Sequence, residues 1–375
     1  MNSTADPSTS SGSTGSGQDL RPQDLDLVDR KLLTKIQAGF PLVDRPYAVF
    51  GEEMGLSEAE CLSRIERLKN GHIIRQIGAI FDTRRLGYQS SLVAVRLPKE
   101  KLDAGAAAIS EHPGVSHNYG RSHSYNLWYT IALPPGVSME ATANRLHQLA
   151  EGEVTRLMPT LKLFKIGVQL DMSGEGKLSD ETNGEASWSW TTPPKAAALS
   201  EADIRAIQAL KEDLPLHPEP FQALGAQEGF SGEEIISRAQ QFAKDGIMRR
   251  YSAVLHHRSA GFVVNGMAVW KVPLERVMEL GPVMGGFRGV THCYQRPTYE
   301  DWPYTVFTMI HARTGPECKQ VVDAIAAKTG LTEYEILYSM KEYKKIRVKY
   351  FTKELDDWAG KYGLKRGQTP RGLTP

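Results

Sequence analysis

The sequence predicts an α+β chain built twice over. It reads as a tandem repeat in which each copy is a winged helix-turn-helix followed by a ferredoxin-like βαββαβ domain, the two copies forming a pseudo-dimer. Three observations predict it: an internal repeat with a period of 174 to 175 residues, a pair of amphipathic helices opening each copy, and a strand, helix, strand, strand, helix, strand order closing each. At 375 residues the chain has length for two to three domains of ~150 residues.

The repeat carries the argument. A shift of 174 sets Asp29 on Asp203, Pro46 on Pro220, Gly51 on Gly225, Ser57 on Ser231, Arg64 on Arg238, Arg75 on Arg249 and Gly87 on Gly261. A shift of 175 sets His117-x-Tyr119-x-Arg121 on His292-x-Tyr294-x-Arg296, and Tyr129-Thr130 on Tyr304-Thr305. In each copy apolar residues at i, i+3 and i+4 spacing predict a first helix: Leu25, Val28, Leu32 and Ile36, then Leu199, Ile204, Ile207 and Leu210. Ser57 with Glu60 is a capping-box start for a helix over 58–69, which Asn70-Gly71 ends. A β-rich run over 73–81 follows, in the place of a wing.

The remaining elements are expected at 91–97, 102–111, 115–121, 127–133, 139–151 and 161–169 in copy one. In copy two they are expected at 266–272, 274–284, 290–295, 304–311, 317–329 and 346–351. The domains are therefore a disordered tail (1–23), winged helix-turn-helix 1 (24–86), ferredoxin-like domain 1 (87–171) and a linker (172–198). Winged helix-turn-helix 2 (199–260), ferredoxin-like domain 2 (261–355) and a C-terminal tail (356–375) complete them. Trp188 and Trp190 read as aromatic anchors that pin the linker.

Composition narrows the function. With 45 basic against 44 acidic side chains, global charge gives no case for nucleic acid or membrane. No apolar run nears the ~20 residues of a membrane span, and the N-terminus lacks the pattern of a signal peptide. Cys61, Cys293 and Cys318 are scattered and odd in number, which fits a reducing cytoplasm rather than a disulfide framework or a zinc site. Residues 24–75 hold eight Lys/Arg against nine Asp/Glu, and residues 199–250 hold six against nine, so net charges of −1 and −3 oppose phosphate contact. The helix-turn-helix is expected as scaffold or dimerisation surface, with DNA binding unlikely.

The densest polar-aromatic stretch runs from His117 to Tyr129. On a strand, His117, Tyr119 and Arg121 share a face, and a hairpin turn brings His123 and Tyr125 close. Two histidines, an arginine and several rings suit an anionic, flat, aromatic ligand. Copy two keeps His292, Tyr294, Arg296, Trp302 and Tyr304 but has Thr298 in place of His123. A second basic group, Arg75, Arg84 and Arg85 with Arg249, Arg250, His256, His257 and Arg258, is a candidate polycarboxylate clamp. There is no P-loop, G-x-G-x-x-G, G-x-S-x-G or H-E-x-x-H motif, and no metal-ligand spacing of Asp or Glu.

The duplicated unit resembles the Lrp/AsnC regulators. The segments HNYGRSHSYNLWYT, RRYSAVLHHR and HCYQRPTYEDWPYT resemble sirohaem decarboxylases, here with the two subunit types fused over roughly 24–355. That resemblance implies removal of carbon dioxide from the C12 and C18 acetates of sirohaem, giving 12,18-didecarboxysirohaem for haem d1 or an alternative haem b route. It implies no cofactor, since the iron belongs to the substrate, and it suggests further assembly of the pseudo-dimer as a homo-oligomer. Under it, His117, His123 and His292 are expected as proton donors, with His117 or His292 alternatively an axial ligand to the substrate iron. Arg121, Arg249, Arg250, Arg258 and Arg296, with His257, would hold carboxylates, and Tyr119, Tyr125, Trp128, Tyr294 and Trp302 would stack or orient the ring. Two rival uses of the architecture are a transcriptional regulator with a sensor domain, which helix charge and site content disfavour, and a haem-binding sensor without turnover.

Overall fold

The computed structural model describes residues 20–167, 176–181, 189–256 and 261–364. Copy one opens with α1 (Leu27–Ala38), α2 (Pro46–Met54), α3 (Glu58–Asn70) and β1 (Ile74–Phe81). It continues with β2 (Gln89–Arg96), α4 (Leu102–Ser110), β3 (Val115–Arg121), β4 (Leu127–Leu133), α5 (Met139–Ala150), β5 (Val154–Pro159) and β6 (Lys162–Ile166). Copy two comprises α6 (Glu201–Leu210), α7 (Pro220–Ala226), α8 (Gly232–Lys244), β7 (Met248–Leu255), β8 (Val264–Trp270), α9 (Val277–Gly285), β9 (Val290–Gln295), β10 (Val306–Ala312), α10 (Gly315–Thr329), β11 (Tyr334–Lys345) and α11 (Lys353–Lys361).

The matched residues of the repeat are the joints of the helix-turn-helix units. Ser57 and Ser231 cap α3 and α8 by accepting from the Glu60 and Glu234 N–H groups, each at 3.2 Å. Fully buried Asp29 accepts from Arg64 at 3.0 Å and from Arg67, and Asp203 accepts from Arg238 at 2.7 Å, so the first helix of each copy is pinned to the third. Those arginines are thereby committed to carboxylates of the protein.

β1 does not form a wing with the strand that follows it. It pairs antiparallel with β7, and Gly78 lies opposite Ser252. These residues are 174 apart, so a local twofold passes through the pair. Each strand offers an open ladder edge and buried residues such as Ile77 and Tyr251, and its own duplicate satisfies both at once.

The other nine strands form one sheet in the order β5-β2-β4-β3-β11-β8-β10-β9-β6. Its edge strands, β5 and β6, are parted in sequence only by Thr160 and Leu161, so the sheet must curl back on itself. The last strand of each copy crosses into the other. β5 lies on β2, while β6 lies on β9; β11 runs along β8 with residues 334–338 and along β3 with residues 339–345. The exchange is latched symmetrically: Lys344 Nζ donates to the Ser110 and His112 carbonyls (2.6 and 3.0 Å), and Lys165 Nζ to the Phe287 carbonyl (3.1 Å), each at the C-terminal end of the other copy's helix.

Several expected elements differ. The final strand is 334–345, not 346–351; the latter stretch is irregular and packs Tyr350 against Tyr88 with ring centres 5.1 Å apart. The strand expected over 161–169 is β6, with 168–169 outside the described residues, and an unexpected strand, β5, precedes it on the other side of the exchange. Tyr304-Thr305 is not the counterpart of Tyr129-Thr130. His117 pairs with Thr130 and His292 with Met309, and the second hairpin is longer by four residues, with ten between Gln295 and Val306 against six between Gly120 and Leu127. The chain beyond 355 begins as α11, whose Trp358 ring lies 4.1 Å from the His112 ring, while residues 365–375 fall outside the described set. Trp190 bridges to Leu163 and lies 4.2 Å beneath Arg84; Trp188 lies outside the described residues. Among the described residues no helix is long and apolar enough to cross a membrane.

Candidate functional site

On β3 and β9 alternate residues face opposite ways. The Asn118 amide donates to the Ala106 carbonyl of α4 (2.9 Å), and the Cys293 thiol reaches the Gly281 carbonyl of α9 (3.5 Å). His117, Tyr119 and Arg121, with His292, Tyr294 and Arg296, therefore face the interior of the curled sheet. They form two equivalent ladders. His117 lies 6.2 Å from Tyr119, over which Arg121 sits at 5.6 Å; His292 lies 5.8 Å from Tyr294, over which Arg296 sits at 4.7 Å. Each arginine is anchored on a carbonyl of the other copy, Arg121 on Leu337 (2.9 Å) and Arg296 on Met158. Both are buried without a carboxylate partner among the described residues, and burial draws each guanidinium down to about 10.

His117, His292 and His311 keep accessible surface although they lie deep in the fold, as residues lining a cavity do. Burial pushes His117 down to about 4 and the other two to about 3, and positive neighbours push the same way. Lys345 and Arg75 act on His117; Arg249, His117, Arg296 and Arg250 act on His292; and His292, Lys345 and Arg121 act on His311. The histidines of the two copies thus share one cation-rich interior, closed on one side by the β1–β7 ribbon that supplies Arg75, Arg249 and Arg250. Arg249 also meets Asp82 at 3.7 Å. Such a cluster of cations suits a polyanion.

Hydroxyl groups hold the imidazoles. Ser116 Oγ lies 3.0 Å from His117 Nδ1, and Thr291 Oγ1 lies 2.9 Å from His292 Nδ1 and 3.0 Å from His311 Nδ1. Among the described residues neither His117 nor His292 has a hydrogen-bond partner at Nε2, the nitrogen left to meet a ligand.

The opposite end of the interior is different. His123 lies in the hairpin turn beyond the end of β3, which carries the chain about 13 Å from His117 to Arg121 at a rise of ~3.3 Å per residue. It faces Glu335 (3.4 Å) and the edge of Trp302 (ring centres 5.2 Å apart). Tyr125 donates to Asp301 (2.6 Å), Trp128 to the Tyr125 carbonyl (2.6 Å), and Trp128 and Trp302 rings are 5.2 Å apart in a fully buried cluster. The extra residues of the second hairpin make this plug. His123, Tyr125, Trp128 and Trp302, expected beside His117, thus stand apart from it. Arg85 is spent on the Lys195 and Asp245 carbonyls, while Arg84 donates to the Thr160 carbonyl (2.8 Å), lies over Trp190 and is near enough to Arg296 to act on its charge. His256 lies at the ribbon's edge with its ring 6.4 Å from that of His72; His257 and Arg258 lie outside the described residues.

Sequence reasoning missed His311, Ser116, Thr291 and Lys345. Polar residues directly before the repeated histidines were a signal for two of them. Among the described residues no group of three His, Cys, Asp or Glu could hold a metal ion of the protein's own.

Comparison with known proteins matches both parts of each copy. Residues 29–75 and 203–249 match the model of the "Siroheme decarboxylase NirDL-like HTH domain", and residues 85–165 and 259–344 that of the "AsnC-like ligand binding domain". The "Siroheme decarboxylase" of Hydrogenobacter thermophilus is 38% identical over 88% of this chain and 96% of its own length. The "Siroheme decarboxylase alpha subunit" of Desulfovibrio desulfuricans is 41% identical and spans 46% of this chain, 99% of its own. The crystal structure of the siroheme decarboxylase NirDL in complex with an iron-uroporphyrin III analogue superposes with a TM-score of 0.68 at 31% identity, covering 90% of this chain and 100% of that one.

Proposed function

The chain belongs to the sirohaem decarboxylases, in their fused two-copy form, and on that footing we propose that it is a carboxy-lyase removing the C12 and C18 acetate carboxylates of sirohaem to give 12,18-didecarboxysirohaem. One observation carries the assignment to this interior: three histidines and six Lys or Arg side chains crowd together there, with Arg249 also meeting Asp82 at 3.7 Å. A tetrapyrrole with many carboxylates would complete that charge, and Tyr119 and Tyr294 offer flat faces beside it. The iron enters with the substrate, so the protein's own task is to bind, orient and move protons.

Each decarboxylation leaves an electron pair on carbon that must take one proton to become a methyl group. His117 and His292, one from each copy, are the groups we assign to that step. As neutral imidazoles in a cation-rich setting they have no proton to spare before substrate arrives. The incoming carboxylates reverse the local charge, favour the imidazolium, and let Nε2 deliver the proton when carbon dioxide leaves. Arg121, Arg296, Arg249 and Arg250 would hold the carboxylates that remain. The three buried free cysteines support work in a reducing cytoplasm.

Anaerobic incubation of the purified chain with sirohaem, followed by mass spectrometry, tests this directly. Loss of two carbon dioxide units is expected; tight binding with no change in mass would leave a haem-binding sensor and sink the enzyme.

A further inference from the structure

Ser116 and Thr291 occupy the same unusual backbone position. The β3–β4 register steps from Val115 opposite Ile131 to His117 opposite Thr130, and the β9–β10 register from Val290 opposite Ile310 to His292 opposite Met309. One residue is therefore extra in each strand: Ser116 in one, Thr291 in the other. A β-bulge of this kind releases a cross-strand carbonyl and re-aims the next side chain. The hydroxyl takes up the released carbonyl: Ser116 Oγ donates to the Thr130 carbonyl (3.5 Å) and Thr291 Oγ1 to the Met309 carbonyl (3.2 Å). The exchanged strand of the other copy fixes each bulge from behind, through Ile346 N–H to the Ser116 carbonyl (2.8 Å) and Gly167 N–H to the Thr291 carbonyl (3.0 Å).

A hydroxyl has one proton and two lone pairs, and a carbonyl can only accept. If the hydroxyl proton goes to the carbonyl, each hydroxyl meets its imidazole as acceptor and the facing Nδ1 carries hydrogen. We propose that Ser116 and Thr291 are positioning residues, hydroxyls at twin bulges that fix His117 and His292 as Nδ1–H tautomers and turn an unprotonated Nε2 toward the tetrapyrrole. This rests on the reading that these histidines face the substrate. His311 joins on one side only. Its Nδ1 donates to the second lone pair of Thr291, and the Asn265 amide reaches its Nε2 at 3.4 Å; the corresponding residue of copy one, two beyond Thr130, is Ala132. His292 is therefore the more firmly held of the pair.

The tautomer sets the order of events. Nε2 first accepts a proton from solvent, with Nδ1–H retained. The carboxylate then leaves as carbon dioxide, its bonding pair stays on carbon, and the Nε2 proton moves to that carbon. The methyl group is complete and the neutral Nδ1–H imidazole is restored, with one proton consumed per carbon dioxide released.

Nitrogen-15 spectra of the full chain labelled at histidine, without substrate and assigned with His117→Gln and His292→Gln, read the tautomers directly. Both histidines are expected to show a protonated Nδ1 and a bare Nε2 at neutral pH. Thr291→Val is expected to give His292 a mixture of tautomers and to lower kcat by about 10- to 100-fold, the range for outer partners of a reactive histidine. Ser116→Ala should do the same more weakly to His117, while Thr291→Ser and Ser116→Thr keep the tautomers. Nε2–H forms in the unaltered chain, or tautomers indifferent to loss of the hydroxyls, would overturn the proposal, and the spectrum of the unaltered chain decides this even if Thr291→Val fails to fold. Nδ1–H tautomers in a chain that does not decarboxylate sirohaem would instead leave the positioning intact and overturn the functional reading.

Discussion

The two ends of one sheet interior hold the same kinds of residue and have opposite character. At the hairpin end, His123, Tyr125, Trp128 and Trp302 are packed ring to ring, and each nearby cation has its counter-ion: Arg156 donates to Asp301 at 3.1 Å and Arg96 to the same carboxylate at 3.3 Å. At the ribbon end the charged neighbours that shift His117 and His292 are cations, and hydroxyls of Ser116 and Thr291 hold the rings. Residue type alone would assign both ends to a ligand. Charge separates them: the hairpin end pairs its arginines with Asp301, while the ribbon end gathers cations around its histidines, a setting that suits an anionic ligand.

The sharpest way to break this comparison is to remove imidazoles from the two ends in turn. His117→Ala and His292→Ala are each expected to lower turnover of sirohaem by about 10²- to 10⁴-fold, the usual yield of a positioned acid or base. The double variant should fall short of the product of the two if one cavity serves both acetates in sequence. Anaerobic single-turnover assays with mass detection measure this; full activity in His292→Ala would show that copy one works alone.

Next in size is the effect of emptying the hairpin end. Trp302 is fully buried, so Trp302→Ala should lower unfolding free energy by about 3–5 kcal/mol. Its indole N–H is buried without a partner, so Trp302→Phe should cost far less than the alanine change. Urea titrations measure both. In each variant the folded fraction should retain its turnover, and loss of turnover without loss of stability would assign the plug to the site.

Much of this was legible in the sequence because local rules carried it. The capping serine Ser57 with its repeat Ser231 and the period-2 motif His-x-Tyr-x-Arg each act over a few residues. What escaped was non-local. The exchanged strand β11 reads as polar, because half of it pairs with the other copy and Lys341 and Glu342 stay exposed; the apolar stretch after it looks more strand-like than the strand itself. Lys345 was lost with it. The Tyr-Thr match at 129 and 304 was a coincidence created by the longer second hairpin, and it hid both the Thr130–Met309 equivalence and His311 beyond it. His123 was grouped with His117 because they are near in sequence, whereas an extended strand carries them apart.

Charge offers a smaller, graded contrast. Arg250→Ala and Arg249→Ala should each weaken binding of an iron porphyrin polycarboxylate by about tenfold, one charge-assisted hydrogen bond of roughly 1.5 kcal/mol. Binding should also weaken as salt is raised, and isothermal titration at two ionic strengths reads both effects. The histidines add a pH signature. Folding lowers their pKa below the ordinary 6.5, to about 4 for His117 and about 3 for His292 and His311, so the unfolded chain binds more protons in that window. The stability they contribute is complete above pH ~6.5 and is lost as pH falls toward their folded values. Urea midpoints should drop between pH 7 and 5, less so in His292→Gln, and a bound polycarboxylate should shrink the drop by raising the folded pKa values. A midpoint independent of pH would contradict the buried, neutral state of these rings.

The smallest expected effect is at His123. Burial lowers its pKa while Glu335 raises it, and the pair is partly exposed, so the contact contributes under about 1 kcal/mol. His123→Gln keeps a polar side chain against Trp302 and should leave turnover within about twofold and the urea midpoint nearly unchanged. A fall beyond tenfold in kcat with the fold intact would mean that substrate reaches the hairpin end. In that event the carboxylates Asp301 and Glu335 would have to move aside for an anionic ligand, which Glu335→Gln would then favour and tighter binding would reveal. Turnover unaffected by His123→Gln but abolished by His117→Ala would confine proton transfer to the ribbon end, where the cations cluster.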